Sequence, residues 1–281
     1  MSPHRARALA ALIALGVLGC VPVERVRVEA VTAERAPLHL GVLPTDDEAT
    51  LAKRYAPVTA YLAQKLDRSV ELVIASTYDG LGELVDQGKV DLAWFSGVSF
   101  LRSRGRHRLV PLARVTRRGK TTYQGAIVVA AASSIQRIED LKGKRFAYVD
   151  RDSGSGFMAP NVMFAHAGID PLKDLGEVAF SESHAASLRG LDQGRYDAVA
   201  VHEAAIEANR SVADPAHFRV LAVSEPLDSD VIAAAEALPA ELREAAVKVL
   251  LAASSSPDGK AFLAKLAPFD PVDGFVAIPA R

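Results

Sequence analysis

Residues 77–95 read TYDGLGELVDQGKVDLAWF, and residues 183–201 read SHAASLRGLDQGRYDAVAV. Both write a hydroxyl residue, a ring, a short helical segment, DQG, a basic residue, an aspartate and an apolar run of strand length. A helix closed by glycine and followed by such a run is common in α/β proteins, so one copy decides little. Two copies in the same register point to a chain of two similar lobes. In each copy the hydroxyl and the ring, Thr77 with Tyr78 and Ser183 with His184, open the helix directly after a strand.

Outward from the first copy, PLHLGVLP (residues 37–44) reads as a strand stopped by proline. Residues 45–67 follow as a helix, with Leu51, Tyr55, Val58, Tyr61, Leu62 and Leu66 on one stripe and acidic residues in the first turn. VELVIAS (70–76), PLARV (111–115) and YQGAIVVAA (123–131) are further strands. The order βαβαβ, with apolar rather than alternating strands, predicts an α/β lobe around a mainly parallel sheet. A second round starts near Ser133: a short helix stopped by Gly143, the strand KRFAYVD, a loop from Asp152 feeding a helix, the strand GEVAF and the second copy. FRVLAVSEP (218–226) is another strand, and the remaining tail holds helices but is too short for a third domain. Its simplest place is back on the first lobe. That predicts crossovers near Val129–Ser133 and Leu221–Ser224, with lobe 1 from 37–129 and 223–281 and lobe 2 from 130–222.

The first residues stand apart. A basic start (His4, Arg5, Arg7) and the apolar run Ala8–Gly19 are too short for a membrane span and read as a signal peptide over 1–19. VLGC (17–20) resembles the lipobox of bacterial lipoproteins, which would make Cys20 a lipidated N-terminus, with 20–36 as a tether. Cys20 is the only cysteine, so an intrachain disulfide is excluded. Valine, not aspartate, follows it, which implies the outer membrane in a cell with two membranes. With 33 Lys+Arg against 34 Asp+Glu the chain lacks a nucleic-acid footprint. The exception is the cluster Leu101–Arg108 with Arg114, Arg117, Arg118 and Lys120 behind it, read as a solvated basic edge or the rim of an anion funnel.

Parallel strands deliver their C-terminal loops to the crevice where ligands bind. After KRFAYVD comes RDSGSGF, where Ser153, Gly154, Ser155 and Gly156 stand before a helix whose first N–H groups lack intrahelical partners. Such a turn can cradle an anion; ordinary helix capping by a serine is the alternative. It is neither a Walker loop nor a dinucleotide fingerprint. HExxH, GxSxG and CxxC are also missing from the sequence, so no enzyme, metal or cofactor is expected. Glu203, after the strand of the second copy, is positioned either to meet a ligand ammonium or to serve as a first-turn helix charge.

Taken in order over residues 38–270, GVLP, STYDGLGELVDQGKVDLAWFSGVSF, YQGAIVV, IEDLKGKRFAYVDRDSGSGF and SHAASLRGLDQGRYDAV resemble the phosphate/phosphite/phosphonate-binding family of ABC transporter substrate-binding proteins. The resemblance implies the bilobed periplasmic-binding-protein fold of type II, two α/β lobes on a two-stranded hinge that close over a ligand. It implies that Tyr78, Tyr123, the turn Ser153–Gly156 and His184 hold the oxyanion, and that Glu203 and Asp230 face an amino group. It also implies a lipid-anchored envelope protein that hands a phosphonate or related phosphorus oxyanion to an ABC permease and its ATPase. A ligand-sensing subunit of a signalling or assembly complex is the alternative. Three departures bear on the ligand: Gly154 stands where the family often has Ser or Thr, Gly97-Val98 where it has glycine-proline, and the proline expected near Asp228 is absent. Phosphite, phosphate and other small oxyanions stay open for that reason.

Overall fold

The computed structural model describes residues 35–278. The expected signal peptide, Cys20 and most of the expected tether lie outside them. The chain begins with β1 (Leu38–Val42), α1 (Glu48–Leu66), β2 (Val70–Ile74), α2 (Gly80–Asp86), β3 (Leu92–Phe95), α3 (Gly97–Ser103) and β4 (Leu109–Arg117). It continues through β5 (Thr122–Tyr123), β6 (Gly125–Ala130), β7 (Arg145–Tyr148), α4 (Ala159–His166), α5 (Pro171–Asp174) and β8 (Glu177–Phe180). Next are α6 (His184–Asp192), β9 (Ala198–His202), α7 (Ala205–Ala208), β10 (Phe218–Val223), β11 (Leu227–Asp228) and β12 (Val231–Ala235). The tail forms α8 (Ala240–Leu251), α9 (Pro257–Leu266) and β13 (Val272–Ala277).

One sheet runs β13-β4-β12-β3-β1-β2 and the other β10-β6-β9-β7-β8. The two share an order, with β4, β12, β3, β1 and β2 of the first matched by β10, β6, β9, β7 and β8 of the second. Parallel pairing is confined to β2-β1-β3 and β8-β7-β9. The strands that enter from the crossovers, β12 and β6, join antiparallel, so each sheet is mixed rather than parallel throughout. A connection that arrives directly from the other lobe has no helix to turn it round, and an antiparallel strand needs none.

The repeated stretch explains this symmetry residue by residue. Thr77 Oγ1 accepts the Gly80 N–H at 3.0 Å, and Ser183 Oγ accepts the Ala186 N–H at 3.1 Å, one helix start each. Gly88 (φ +69°) and Gly194 (φ +68°) end the two helices in the left-handed region, where a Cβ is costly. Asp91 accepts the His39 N–H of β1 at 2.8 Å, and Asp197 accepts the Arg145 N–H of β7 at 2.8 Å. Each aspartate thus fixes the register of its own strand against the parallel neighbour. The repeat is a fold device first, and it places Tyr78 and His184 at equivalent points.

The first crossover differs from expectation. Gly125–Val129, expected in lobe 1, belongs to β6 of the second sheet, and the change of lobe falls earlier, at β5. Thr122–Tyr123 pairs antiparallel with Leu227–Asp228, a separate two-stranded ribbon between the sheets. Four residues carry no hydrophobic period, so this ribbon is invisible to pattern reading. In lobe 1, α8 and α9 pack back with α1: Tyr61 stacks on Phe262 at 4.6 Å between ring centroids, and its hydroxyl donates to Val249 O.

Candidate functional site

The lobes are apposed. The His184 N–H donates to Thr45 O at 3.0 Å, Ser99 Oγ to Asp152 O at 3.3 Å, and Arg102 to Arg151 O at 2.8 Å and to the Asp152 carboxylate. Between them lies a cavity of about 220 Å³, lined from lobe 1 by Thr45, Arg54 and Tyr78, from lobe 2 by Ser153, Ser155 and His184, and from the hinge by Tyr123. That volume is below the roughly 300–1,000 Å³ of drug-sized sites and suits a small ligand.

The structure brings most of the expected residues together. Ser153, Ser155, Tyr78 and His184 are all buried and line the cavity, two from the glycine-rich turn and one from each repeated segment. Residues 154–158 form one π-helical turn leading into α4, not an open loop. Ser153 does cap it, accepting the Gly156 N–H at 3.0 Å, which still leaves its O–H free to donate. Gly156 is required by packing, since a Cβ there would lie 2.5 Å from Val149 Cβ. Gly154 is required too. A Cβ on it would meet both Tyr123 Oη and Val98 Cγ2 at 2.9 Å, so two of the departures from the family pattern touch one another across the cleft.

Two expected residues take different positions. Glu203 lines the cavity but its side chain is exposed, and only its backbone N–H is fixed, on Gln124 O at 3.0 Å. Asp230 lines the cavity, yet its carboxylate already accepts from Trp94 Nε1 at 2.9 Å and from Arg117 Nη2 at 2.7 Å. Arg117 also grips Asp270 through Nε and Nη2, each at 2.6 Å, and donates to Ser229 Oγ at 2.8 Å. Both bonds fall on Oδ2, and the charge of Arg117 already balances this carboxylate. Asp230 thus has a structural role, anchoring the start of β12, next to the hinge, to β4.

Sequence reading missed Arg54, His202, Asp270 and Arg117 as cavity groups, and Asp46 as the partner behind Arg54. Arg54 carried a signal, because it lies three residues after Leu51 and four before Val58, on the apolar stripe of α1. The basic cluster hid Arg117. Rather than one solvated edge, Arg102, Arg106, Arg114 and Arg117 each pair with an aspartate, while Arg118 and Lys120 reach the cavity.

The electrostatics follow from burial. Arg54 Nη2 lies 2.6 Å from Asp46 Oδ2, and the Asp46 side chain is wholly enclosed. Desolvation raises the Asp46 pKa even against the pull of Arg54. His184 is pushed down to about 3, by burial first and the charge of Arg54 second, so its ring is neutral. His202, edge-on to it at 4.7 Å, is lowered for the same two kinds of reason. Tyr78 Oη, His184 Nδ1 and Arg54 Nε are buried without a well-directed partner among the described residues. An acceptor-rich guest is the group these atoms lack. Among the described residues no cluster of three or more His, Cys, Asp or Glu is arranged to hold a metal, and no helix is long and apolar enough to cross a membrane.

Comparison with known proteins agrees with this geometry. The chain is 25% identical over 254 residues to the phosphate-import protein PhnD of Mycolicibacterium smegmatis, covering 85% of this chain and 78% of that one. The fold is shared with a binding protein component of an ABC phosphonate transporter from Pseudomonas aeruginosa (TM-score 0.79, 20% identity, 86% and 81% covered). It is shared also with PhnD1 of Prochlorococcus marinus, solved with methylphosphonate (TM-score 0.75, 20% identity, 86% and 92% covered). The family described as ABC transporter, phosphonate, periplasmic substrate-binding protein matches residues 40–280, and the chain, with its paired lobes and enclosed cleft, belongs to it.

Proposed function

We propose that the protein captures a phosphonate or related phosphorus oxyanion in the interlobe cavity and, closed around it, presents it to an ABC permease with its ATPase. The observation that carries this reading is that Tyr78 Oη, His184 Nδ1 and Arg54 Nε, buried without well-directed partners among the described residues, belong to residues lining one cavity with Ser153 and Ser155. Excluding water strengthens charge-assisted hydrogen bonds at such a site. The ligand then favours the closed form by the difference in its affinity for the two states. The phosphate, phosphonate and methylphosphonate named for the relatives support the ligand class. Tyr78, Tyr123, Ser153, Ser155 and His184 are the proposed contacts, with Gly154 and Gly156 giving the turn its shape. Titration calorimetry of the parent and Ser155→Ala against phosphite, methylphosphonate and phosphate tests it. Loss of one charge-assisted bond, roughly 1.5–3 kcal/mol, predicts about 10- to 150-fold weaker binding; equal affinities remove Ser155 from the site.

The same proposal holds that Cys20 is the processed, lipid-bearing N-terminus that keeps the protein at the membrane surface. The support is the basic-then-apolar leader ending in VLGC and the absence of another cysteine. Mass spectrometry of membrane-extracted protein should show residues 1–19 removed and a lipid mass added. An intact Met1 refutes it.

A further inference from the structure

We infer that Arg54 is a direct contact of the bound anion and the residue that makes full negative charge a requirement for entering this cleft. The inference rests on the reading of the cavity as an oxyanion site and adds to it a charge partner that neither the serine turn nor the rings supply. Arg54 projects from the second turn of α1, is 6% exposed, and lines the cavity together with Tyr78, Ser153 and His184. Asp46 holds Nη2 at 2.6 Å and Thr45 Oγ1 lies 3.4 Å from Nη1, so the guanidinium is fixed in place. Its Nε has no acceptor among the described residues.

The choice of Arg54 over other groups follows from what the others already do. Ser153, Ser155 and Tyr78 are neutral donors, and His184 is a neutral ring. Arg117, the other buried guanidinium in the cavity wall, is bound at short distance to both Asp230 and Asp270. Arg118 and Lys120 line the cavity from the exposed turn between β4 and β5, where water screens their charge. Arg54, with one carboxylate partner where Arg117 has two, is therefore the guanidinium left to meet an anion in the cavity it lines with Tyr78, Ser153, Ser155 and His184. A guanidinium presents five N–H groups in a planar fork matched to two oxygens of a tetrahedral anion. With one edge on Asp46, the remainder can take such an anion. The ligand class is thus a compact tetrahedral oxyanion that places its charged head beside Arg54. Any substituent then points toward Tyr55, Pro226, Phe269 and Pro271 on the remaining wall.

The test is calorimetric titration with methylphosphonate, phosphite and phosphate, using the parent, Arg54→Lys and the double variant Arg54→Met/Asp46→Asn. The double variant removes the pair without stranding a buried carboxylate, the usual cause of collapse when one partner is deleted. Arg54→Lys keeps the charge and loses the fork, so it guards against a folding failure of the double variant. The expected results are binding on the order of 100-fold weaker in the double variant and about 10-fold weaker in Arg54→Lys. Parent-like affinity in both, while Ser155→Ala still weakens binding, overturns the role of Arg54 and leaves the anion site standing. A parent that binds none of the three probes overturns the site itself, and this inference with it.

Discussion

Gly154 offers a clean way to separate closure from ligand chemistry. Its backbone is not in the left-handed region, so alanine can adopt the same conformation and any effect is steric. The new Cβ would lie 2.9 Å from Tyr123 Oη on the hinge and 2.9 Å from Val98 Cγ2 on the opposite lobe, closer than carbon contacts allow. Overpacking of this kind costs about 1–3 kcal/mol. Val98 meets Gly154 only when the lobes are together, so the cost falls on the closed, ligand-holding state. Gly154→Ala is therefore expected to weaken methylphosphonate binding about 5- to 150-fold, with little change in the melting temperature of the ligand-free protein. Adding Val98→Ala removes one of the two clashes and should recover part of the affinity. Calorimetric titration with a matched thermal melt decides it. Unchanged affinity in Gly154→Ala, or a loss that Val98→Ala does nothing to restore, refutes the steric argument.

Three further outcomes are expected. Arg117→Gln leaves Asp230 and Asp270 facing each other beside the hinge, and chemical denaturation should show a loss of about 3–5 kcal/mol; a loss below 1 kcal/mol would mean the cluster relaxes into water. His184 is held neutral in the fold, with its pKa depressed to about 3, so the unfolded chain takes up the proton first as pH falls. Its contribution to stability is complete above about pH 6.5 and fades as pH drops toward 3; His184→Gln should flatten that part of a denaturation-versus-pH curve, and an unchanged slope would contradict it. Because Asp230 is engaged and Glu203 is exposed, 2-aminoethylphosphonate should bind no more tightly than methylphosphonate. Tighter binding that Glu203→Gln abolishes would restore an amine pocket.

Much of the architecture was legible because it is written in periodic or duplicated form. The DQG units exposed two lobes because a capping hydroxyl, a left-handed glycine and a strand-bridging aspartate are each local requirements, readable one at a time. The serine turn was legible for a similar reason, since it follows an apolar strand and precedes a helix. What escaped reading was long-range pairing. Asp230 looked like a free carboxylate because Arg117, its partner, lies 113 positions away. The hinge ribbon joins Thr122–Tyr123 to Leu227–Asp228, too few residues for any pattern. Arg54 was hidden differently: one cation on an apolar stripe reads as an interruption until the cavity behind the stripe is seen.

The order in which the sheets are threaded has a consequence for how the molecule is made. Every strand of the second sheet lies within residues 125–223, so that lobe is complete in sequence about 50 residues before the described chain ends. The first sheet is different, because its central strand β12 arrives only at Val231 and its edge strand β13 at Val272. Until then β3 and β4, which flank β12, have no partner between them, and the α1 face that receives Phe262 of α9 is bare. A chain emerging N-terminus first therefore carries its earliest strands unfinished while later ones mature, with unpaired edges that invite aggregation. Slow closure of these distant pairings makes the first lobe the stage at which a holding chaperone would be needed, and the stage at which C-terminal truncation would be most damaging.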